Sequence, residues 1–597
     1  MSAVNVYKDL LSRYTSKADK LKNQLGWLSF LRLLLFSGFI FLGYKSIVTG
    51  SSIFIIGTLV LLVIFLLMIR VYDRMQQQTA FYKALVKLNQ DEINFVEGQP
   101  SVYSNGKEYT DPHHPYSYDL DMFGDGGLFP YLNRCSTSFG KEALAKDLLH
   151  PDTTIIEERQ AAIAELKDKL EFRQHLQAHG LLLDTKEKEM QQLKAWLQSA
   201  PTFKNKSLYY LLMLLPLTST ICLLYYFISA QEQALNIFYD LFVLNLVVAV
   251  LFSRRISAHL SVSTSVTKIL QQFSGQLKQL EDQQFQSPLL QKLQDGLKAG
   301  KDTSSKSISR LASLFNYLET VVNLIVSMLL NGLFIFHVHI LFRLESWKEK
   351  NGSKILTWLK ILGEVESLNS LGNLAYNNPS FTTPLVSKTE TIEADNMGHP
   401  LIRESKRINN SISFRDQRFV ILTGSNMSGK STFLRTLGIN LVLARSGSVV
   451  CADRFAFYPY AVHVSMRITD SLQDSESFFY AELKRLQSII LELEAGEKTF
   501  IILDEILRGT NSNDKHNGTV GLIRKLVGAH ACGIIATHDL TVSQLADIFP
   551  GYISNKCFES SIINDELIFD YKLKEGVCTK LSASFLMTKM GIISKEV

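Results

Sequence analysis

The sequence predicts a multidomain chain: membrane helical hairpins, an α-helical core domain, and a C-terminal α/β domain of the P-loop type. Three observations carry this prediction. Apolar blocks come in closely spaced pairs. Charge-rich stretches with helical periodicity lie between and after the pairs. From Phe419 onward, apolar strands such as RFVILTG, TFIILDE and CGIIATH alternate with helical stretches, the order that builds a largely parallel sheet. At 597 residues the chain is too long for one core. The expected units are an N-terminal amphipathic segment (1–26), a first transmembrane hairpin (27–70), a first helical core part (71–207), a second hairpin (208–253), a second core part (254–385) and the α/β domain (386–597).

The first apolar block, 27–44, is interrupted by Arg32, which would have to snorkel toward the headgroups; the second, 53–69, carries no charge. A span needs about 20 apolar residues, with about 17 the lower limit, so the second block qualifies and the first is marginal. The link around Gly50 is short, which reads as a hairpin; the alternative is a buried helical hairpin in a soluble domain. A second pair follows: 208–228 has no charge and 235–252 only Asp240. Lys204, Lys206, Arg254, Arg255, Arg70 and Arg74 sit at the outer ends of the hairpins, so by the positive-inside rule both dip in from the cytoplasm and return. The expected location is a multi-pass protein of the cell (inner, cytoplasmic) membrane with its α/β domain in the cytoplasm. A third apolar stretch, 321–342, holds Asn323, Asn331, His337 and His339. A fifth span would put the α/β domain on the wrong side, so it is expected to be a buried core helix with packed histidines. Residues 139–177 and 268–300 read as long, solvent-exposed helices, and 99–127 as an irregular linker.

Net charge is +5, a mild excess that gives no support to nucleic-acid binding by itself. Six cysteines (Cys135, Cys222, Cys451, Cys532, Cys557, Cys578) form no CxxC pair, which argues against a zinc site or a disulfide framework. The N-terminus has no cleavable signal pattern.

The strongest motif is Gly424-Ser425-Asn426-Met427-Ser428-Gly429-Lys430-Ser431-Thr432, between an expected strand at 419–422 and a helix at 432–443. It fits G-x-x-x-x-G-K-[ST]. Its glycines let backbone N–H groups wrap phosphates, and the helix N-terminus adds positive charge. Lys430 would bridge the β- and γ-phosphates of ATP, and Ser431 would offer its hydroxyl to Mg²⁺. Downstream, the apolar strand at 499–503 ends in Asp504 and Glu505. Asp504 suits the Mg²⁺ shell, and Glu505 a base that polarises water. His538, after the strand at 533–535, stands where it can reach the γ-phosphate.

These motifs together resemble the MutS family of ABC-type ATPases. The loop is close to that family's G-P-N-M-[GS]-G-K-S-T, with Ser425 in place of proline. Residues Asp504 to Asp514 closely match its D-E-[IL]-x-R-G-T-[ST]-x-x-D, and Gly398-His399-Pro400 is similar to its G-[RK]-H-P. The stretch from Ser475 to Glu482 is similar to its signature loop, which completes a neighbouring subunit's ATP site; Ser477 replaces the signature serine, and Ser475 stands where glycine is usual. Residues 138–151 resemble the start of the family's lever domain. The resemblance implies an ABC-type P-loop NTPase domain on an α-helical lever/core domain, a homodimer through the ATPase domains, ATP hydrolysis with Mg²⁺, and nucleotide contacts by Ser475, Ser477 and Asp514. It covers roughly 115–200 and 257–590.

The departures bear on function. About 100 residues precede the lever-like part and hold the first hairpin, leaving no room for a mismatch-reading domain. The second hairpin falls where repair enzymes insert their DNA clamp, and an apolar hairpin cannot neutralise phosphates. The expectation is a membrane-anchored MutS-like ATPase that couples ATP hydrolysis to lever-helix movement, touching lipid and an unidentified membrane or cytoplasmic protein. The alternative is a mismatch-repair or recombination factor that binds (mismatched) DNA; an ABC-type transporter ranks last, because four short-looped spans make a poor path.

Overall fold

The computed structural model describes residues 2–182, 187–199, 206–299, 302–467, 478–507, 510–563 and 566–578, with two single positions near the C-terminal end. It is mostly helical, with a mixed α/β portion at its C-terminal end.

The first hairpin is larger than its apolar blocks. Helix α1 (Ala3–Thr49) and helix α2 (Ser52–Val96) are joined at Gly50, whose φ of 63° lets the chain reverse. The expected separate segment 1–26 is therefore corrected: it is the lower part of α1, a helix that runs unbroken from Ala3 to Thr49 with no proline in it. Residues 71–96 likewise prolong the second arm. In these stems Tyr14 packs with Leu85 and Leu88. The apolar upper parts of both arms are wholly unburied. Arg32 lies 4.6 Å from the centre of the Tyr72 ring on the other arm, a cation–π contact that gives the charge a partner.

The second hairpin consists of α3 (Leu214–Ser229) and α4 (Glu232–Leu251), turning at Ala230 in the left-handed region. Among the described residues, four helices are long and apolar enough to cross a membrane: Ala3–Thr49, Ser52–Val96, Tyr209–Ser229 and Glu232–Leu251.

The helical core corrects two expectations. Residues 139–177 do not form long exposed helices. They form Ser138–Leu149, Ile156–Asp168 and Leu170–Leu181, which bury Phe139, Leu144, Leu148, Ile163, Leu166 and Leu176. Most of their charges occupy the outward faces, but Arg159 and Arg173 are buried, Arg159 paired with Asp147 and Arg173 bonded to Asn373. The run at 268–300 ends its helix at Asp282 and restarts at Pro288–Asp295, with proline in its first turn.

The stretch 321–342 is not one buried helix. Helix α5 (Ser304–Glu319) passes through a short 3-10 turn into α6 (Leu324–Phe334), bent by 111°. The chain turns again at Ile335 (φ 50°) into the long helix α7 (Phe336–Asn377). Asn323 causes the first break by capping α6: its side chain accepts from the Val326 N–H at 3.1 Å. His337, Val338, Ile340 and Leu341 are buried as expected, but Leu324, Ile325, Met328 and Leu329 are exposed. Helix α7 presses on Ser138–Leu149 through two glycines. A Cβ at Gly363 would meet the Phe139 carbonyl at 2.5 Å, and one at Gly140 the Glu366 carboxylate at 2.2 Å.

The C-terminal portion is built on strands β1 (Phe419–Gly424), β2 (Ala461–Ser465), β3 (Thr499–Asp504), β4 (Cys532–Thr537), β5 (Ile553–Ile563) and β6 (Glu566–Glu575). The sheet order is β6-β5-β1-β4-β3-β2, parallel except for the edge strand β6. The inner strands are buried on both faces, and their alternation splits the core. Val420, Leu422, Phe500, Ile502 and Ile534 join the cluster shared with the helical core. Phe419, Ile421, Ile501, Leu503 and Ile535 pack with Leu486, Ile489, Ile523 and Leu526 on the other face. A four-stranded sheet from 385–457 flanks it, with Phe414 set edge-on to Phe500 at 5.0 Å.

Candidate functional site

The site forms where β1, β3 and β4 end side by side. Parallel pairing sets Thr537 beside Thr423, and Ala536 beside both Leu422 and Asp504, so the loops that follow share one sheet edge. Loop 424–432 leaves β1 and opens the helix Lys430–Arg445, capped by Gly429 at φ 104°. Glycine is needed there, since few side chains adopt that backbone. The helix starts two residues earlier than expected and runs two longer. A Cβ at Gly424 would meet the Phe558 carbonyl at 2.8 Å and Ser428 Oγ at 2.9 Å.

Lys430 is buried, and its Nζ donates to the carbonyls of Gly424 (2.9 Å) and Ser425 (3.1 Å), which hold the ammonium over the loop. The same Nζ lies 3.3 Å from His538 Nε2. Ser431 Oγ donates to Asp504 Oδ2 at 2.6 Å. His538 Nε2 stands 2.6 Å from Glu505 Oε1. Glu505 takes a left-handed φ of 50°, and its N–H donates to the Ala536 carbonyl. Asn426, Met427 and Thr432 are exposed on the loop, whereas Ser425 and Ser428 are buried. The Oγ atoms of both serines are buried without a hydrogen-bond partner among the described residues. An anion wrapped by the loop would satisfy them, and hydroxyl plus carboxylate at Ser431 and Asp504 is the oxygen donor set that Mg²⁺ prefers. The residues present therefore fit a magnesium–phosphate ligand.

Structure thus brings together Gly424 to Thr432, Asp504, Glu505 and His538. It does not bring Asp514 to them: Asp514 sits in the first turn of Ser512–Gly528 and is bonded there to Asn511. Ser475 and Ser477 lie outside the described residues. Neighbouring groups lock the site's loops. Glu482 is buried and accepts the Leu507 N–H at 2.8 Å, fixing the turn after Glu505. Asp539 pairs with His516 at 2.7 Å; burial pushes its carboxyl up, but bonds from Thr541 and His516 outweigh this and hold it below its ordinary value. Burial, with the charges of Arg435 and Arg407, pushes His399 down to about 4, so it is neutral at pH 7. No group of three or more metal-ligating His, Cys, Asp or Glu occurs among the described residues.

Two features escaped sequence reasoning. Tyr571, on the edge strand β6, lays its ring against the loop: a Cβ at Gly429 would sit 3.1 Å from it. Asp119, in the stretch taken for a linker, is fully buried. It accepts the N–H groups of Met466 and Arg467 at 2.7 Å and the Arg485 guanidinium at 2.6 Å. One carboxylate thus ties down both flanks of 468–477. The aspartate pair in Tyr118-Asp119-Leu120-Asp121 was the available signal; Asp121 pairs with Arg467 and Arg435.

Comparison with known families agrees with this arrangement. MutS domain III matches residues 116–493, more than half of the chain, and MutS domain V matches 420–596. The chain belongs to the MutS family. This MutS-family chain is 31% identical over 229 residues to "DNA mismatch repair protein MutS" of Thermotoga petrophila, covering 37% of this chain and 28% of that one. It is 32% identical over 207 residues to "Mitochondrial DNA mismatch repair protein mutS homolog" of Sarcophyton glaucum, covering 34% and 21%. With "MutS protein homolog 4" of Homo sapiens the identity is 27% over 253 residues, covering 40% and 25%. The matched part spans about a quarter of the length of these curated relatives.

Proposed function

We propose that this MutS-family chain is a membrane-anchored ATPase that works as a dimer and couples ATP hydrolysis to movement of its core helices. The observation that carries the proposal is the meeting of Lys430, the Ser431–Asp504 pair and the Glu505–His538 pair at one sheet edge. Lys430 and the loop N–H groups bind and orient the phosphates. Tyr571 offers a flat ring beside the loop on which a base can stack. Ser431 and Asp504 would hold Mg²⁺, which supplies charge neutralisation at the phosphate oxygens. Glu505 accepts a proton from the attacking water, and His538 orients the carboxylate. By family resemblance Ser475 and Ser477 are assigned to the partner-completed half of the site, and Asp514 to a nucleotide contact. Anchoring through four spans in the cell membrane is supported by the exposed apolar arms of both hairpins.

Glu505→Gln tests the catalytic part. It should keep ATP binding and lower turnover by at least about 100-fold, as loss of a general base does; normal turnover would remove Glu505 from that role. Sedimentation with carbonate-washed membranes tests anchoring, and recovery of the chain without detergent would end it. A second reading, a DNA mismatch-repair factor, is favoured by the names of the relatives. Polarisation assays with matched and mismatched duplexes at two salt concentrations separate the readings. A mismatch preference that survives about 150 mM salt favours repair, while weak, salt-sensitive and equal binding favours the membrane ATPase.

A further inference from the structure

Helix α6 and its two breaks are not explained by the site or by the four spans. Its residues Leu324, Ile325, Met328 and Leu329 are 81%, 72%, 52% and 52% exposed and share one helical face. No Asp, Glu, Lys or Arg occurs between Glu319 and Arg343. The last turn of the helix docks on the second hairpin. Asn245 of α4 donates to the Gly332 carbonyl at 2.8 Å, and a Cβ at Gly332 would strike the Phe242 ring at 2.3 Å. Asn245 and Phe242 lie about 9–14 Å of helix rise before the end of α4 that leads to Arg254 and Arg255.

We infer that α6 is embedded in the leaflet on the side of the nucleotide domain, its exposed face against lipid acyl chains, entering and leaving the membrane on the same side. The inference deepens, and rests on, the anchoring proposed above. Three observations point to lipid as the occupant. Helix α6 packs on the second hairpin, whose Leu244, Val247 and Val250 are exposed apolar residues too. At 11 residues α6 is only about 16 Å long, half of a hydrocarbon core of about 30 Å, so it cannot cross. Several polar groups at its ends bond within the protein, as broken helix at membrane depth requires. Asn323 caps the N-terminus. The Asn331 side-chain oxygen accepts the His337 N–H at 3.1 Å and lies 3.0 Å from His337 Nδ1. His337 Nε2 reaches Thr320 Oγ1 at 3.1 Å. One imidazole therefore pins the entry of the excursion, at Thr320, to its exit. This geometry also resolves the parity of the chain: α5 and α7 stay on one side.

The test is site-directed spin labelling of the full chain in a Cys222→Ser background, reconstituted in vesicles of phosphatidylcholine and phosphatidylglycerol. Labels go at Leu324→Cys, Met328→Cys and Leu329→Cys, with Leu224→Cys on α3 and Lys350→Cys on α7 as controls. The expected result is greater relaxation by oxygen than by a water-soluble nickel chelate at the three α6 sites and at 224, with the ratio reversed at 350. Nickel-dominated relaxation on α6 with a lipid-like 224 overturns the inference and leaves anchoring standing. Nickel-dominated relaxation at 224 as well overturns both. Protection from both reagents on α6 places protein over that face and overturns the inference too.

Discussion

The two apolar hairpins look alike in sequence and differ in how they join the protein. In the first, the apolar stretch of each arm is entirely unburied, and the hairpin meets the core only through its long stems. In the second, 11% and 28% of the corresponding stretches are buried, against each other and against α6. The first stem ends in an ionic knot. Glu92 pairs with Arg134 and accepts from Asn373 and Asn377 of α7, while Tyr7 of α1 donates to Asn377 at 2.8 Å. Burial pushes the Glu92 carboxyl up, yet Arg134 and these bonds outweigh it and hold it below its ordinary value. The lesson is that one hairpin is tied to α7 by charge at its foot and the other by packing within its apolar length.

The largest expected effect breaks the first attachment. Arg134→Met leaves Glu92 buried without its counter-ion and should cost about 3–5 kcal/mol. Thermal unfolding in detergent checks this, and a loss below about 1 kcal/mol would show the knot to be dispensable. Because the folded pKa of Glu92 is lowered, its contribution is present above the ordinary glutamate value and is lost as pH falls through the lowered one. Glu92→Gln should therefore flatten the acid limb of the stability curve. The second attachment is broken by Gly332→Val, which forces Phe242 aside at about 1–3 kcal/mol and should alter ATP turnover if α6 reports to α7. Unchanged turnover and unchanged protease protection would decouple them. Asn245→Leu removes one hydrogen bond and should cost about 0.6 kcal/mol, the mean for bonds between membrane helices. Smallest of all, Leu59→Ala on the first hairpin should change stability by less than about 0.5 kcal/mol, because the residue is 57% exposed. A larger loss would mean that this arm has a protein partner.

The loop 424–432, Asp504, Glu505 and His538 were legible because their chemistry is local: glycines, a lysine and acids at strand ends. Asp119 and Tyr571 were not, since each acts on residues more than a hundred positions away and neither sits in a local pattern. The charged runs at 139–177 misled because a helix can bury one face while its other face carries most of the charge, and because a charge with an internal partner, such as Arg159 or Arg173, can itself be buried. The stretch 321–342 misled for a different reason. An apolar run has the same composition whether protein covers it or not, and the exposure of Leu324, Ile325, Met328 and Leu329 follows from the breaks at Asn323 and Ile335, which the composition does not reveal. Arg134 and Glu92 stayed invisible as single charges in unrelated segments.

Helix α7 holds 42 residues without a proline, a contour of about 63 Å. One end abuts α6 and the other leads into the four-stranded sheet that flanks the parallel sheet. A rod of that length magnifies angle into distance. A tilt of about 5° at the nucleotide end sweeps the far end through about 5 Å, half the width of a helix. On the function proposed above, rearrangements at the loop too small to disturb the sheet would suffice to slide α6 past its neighbours.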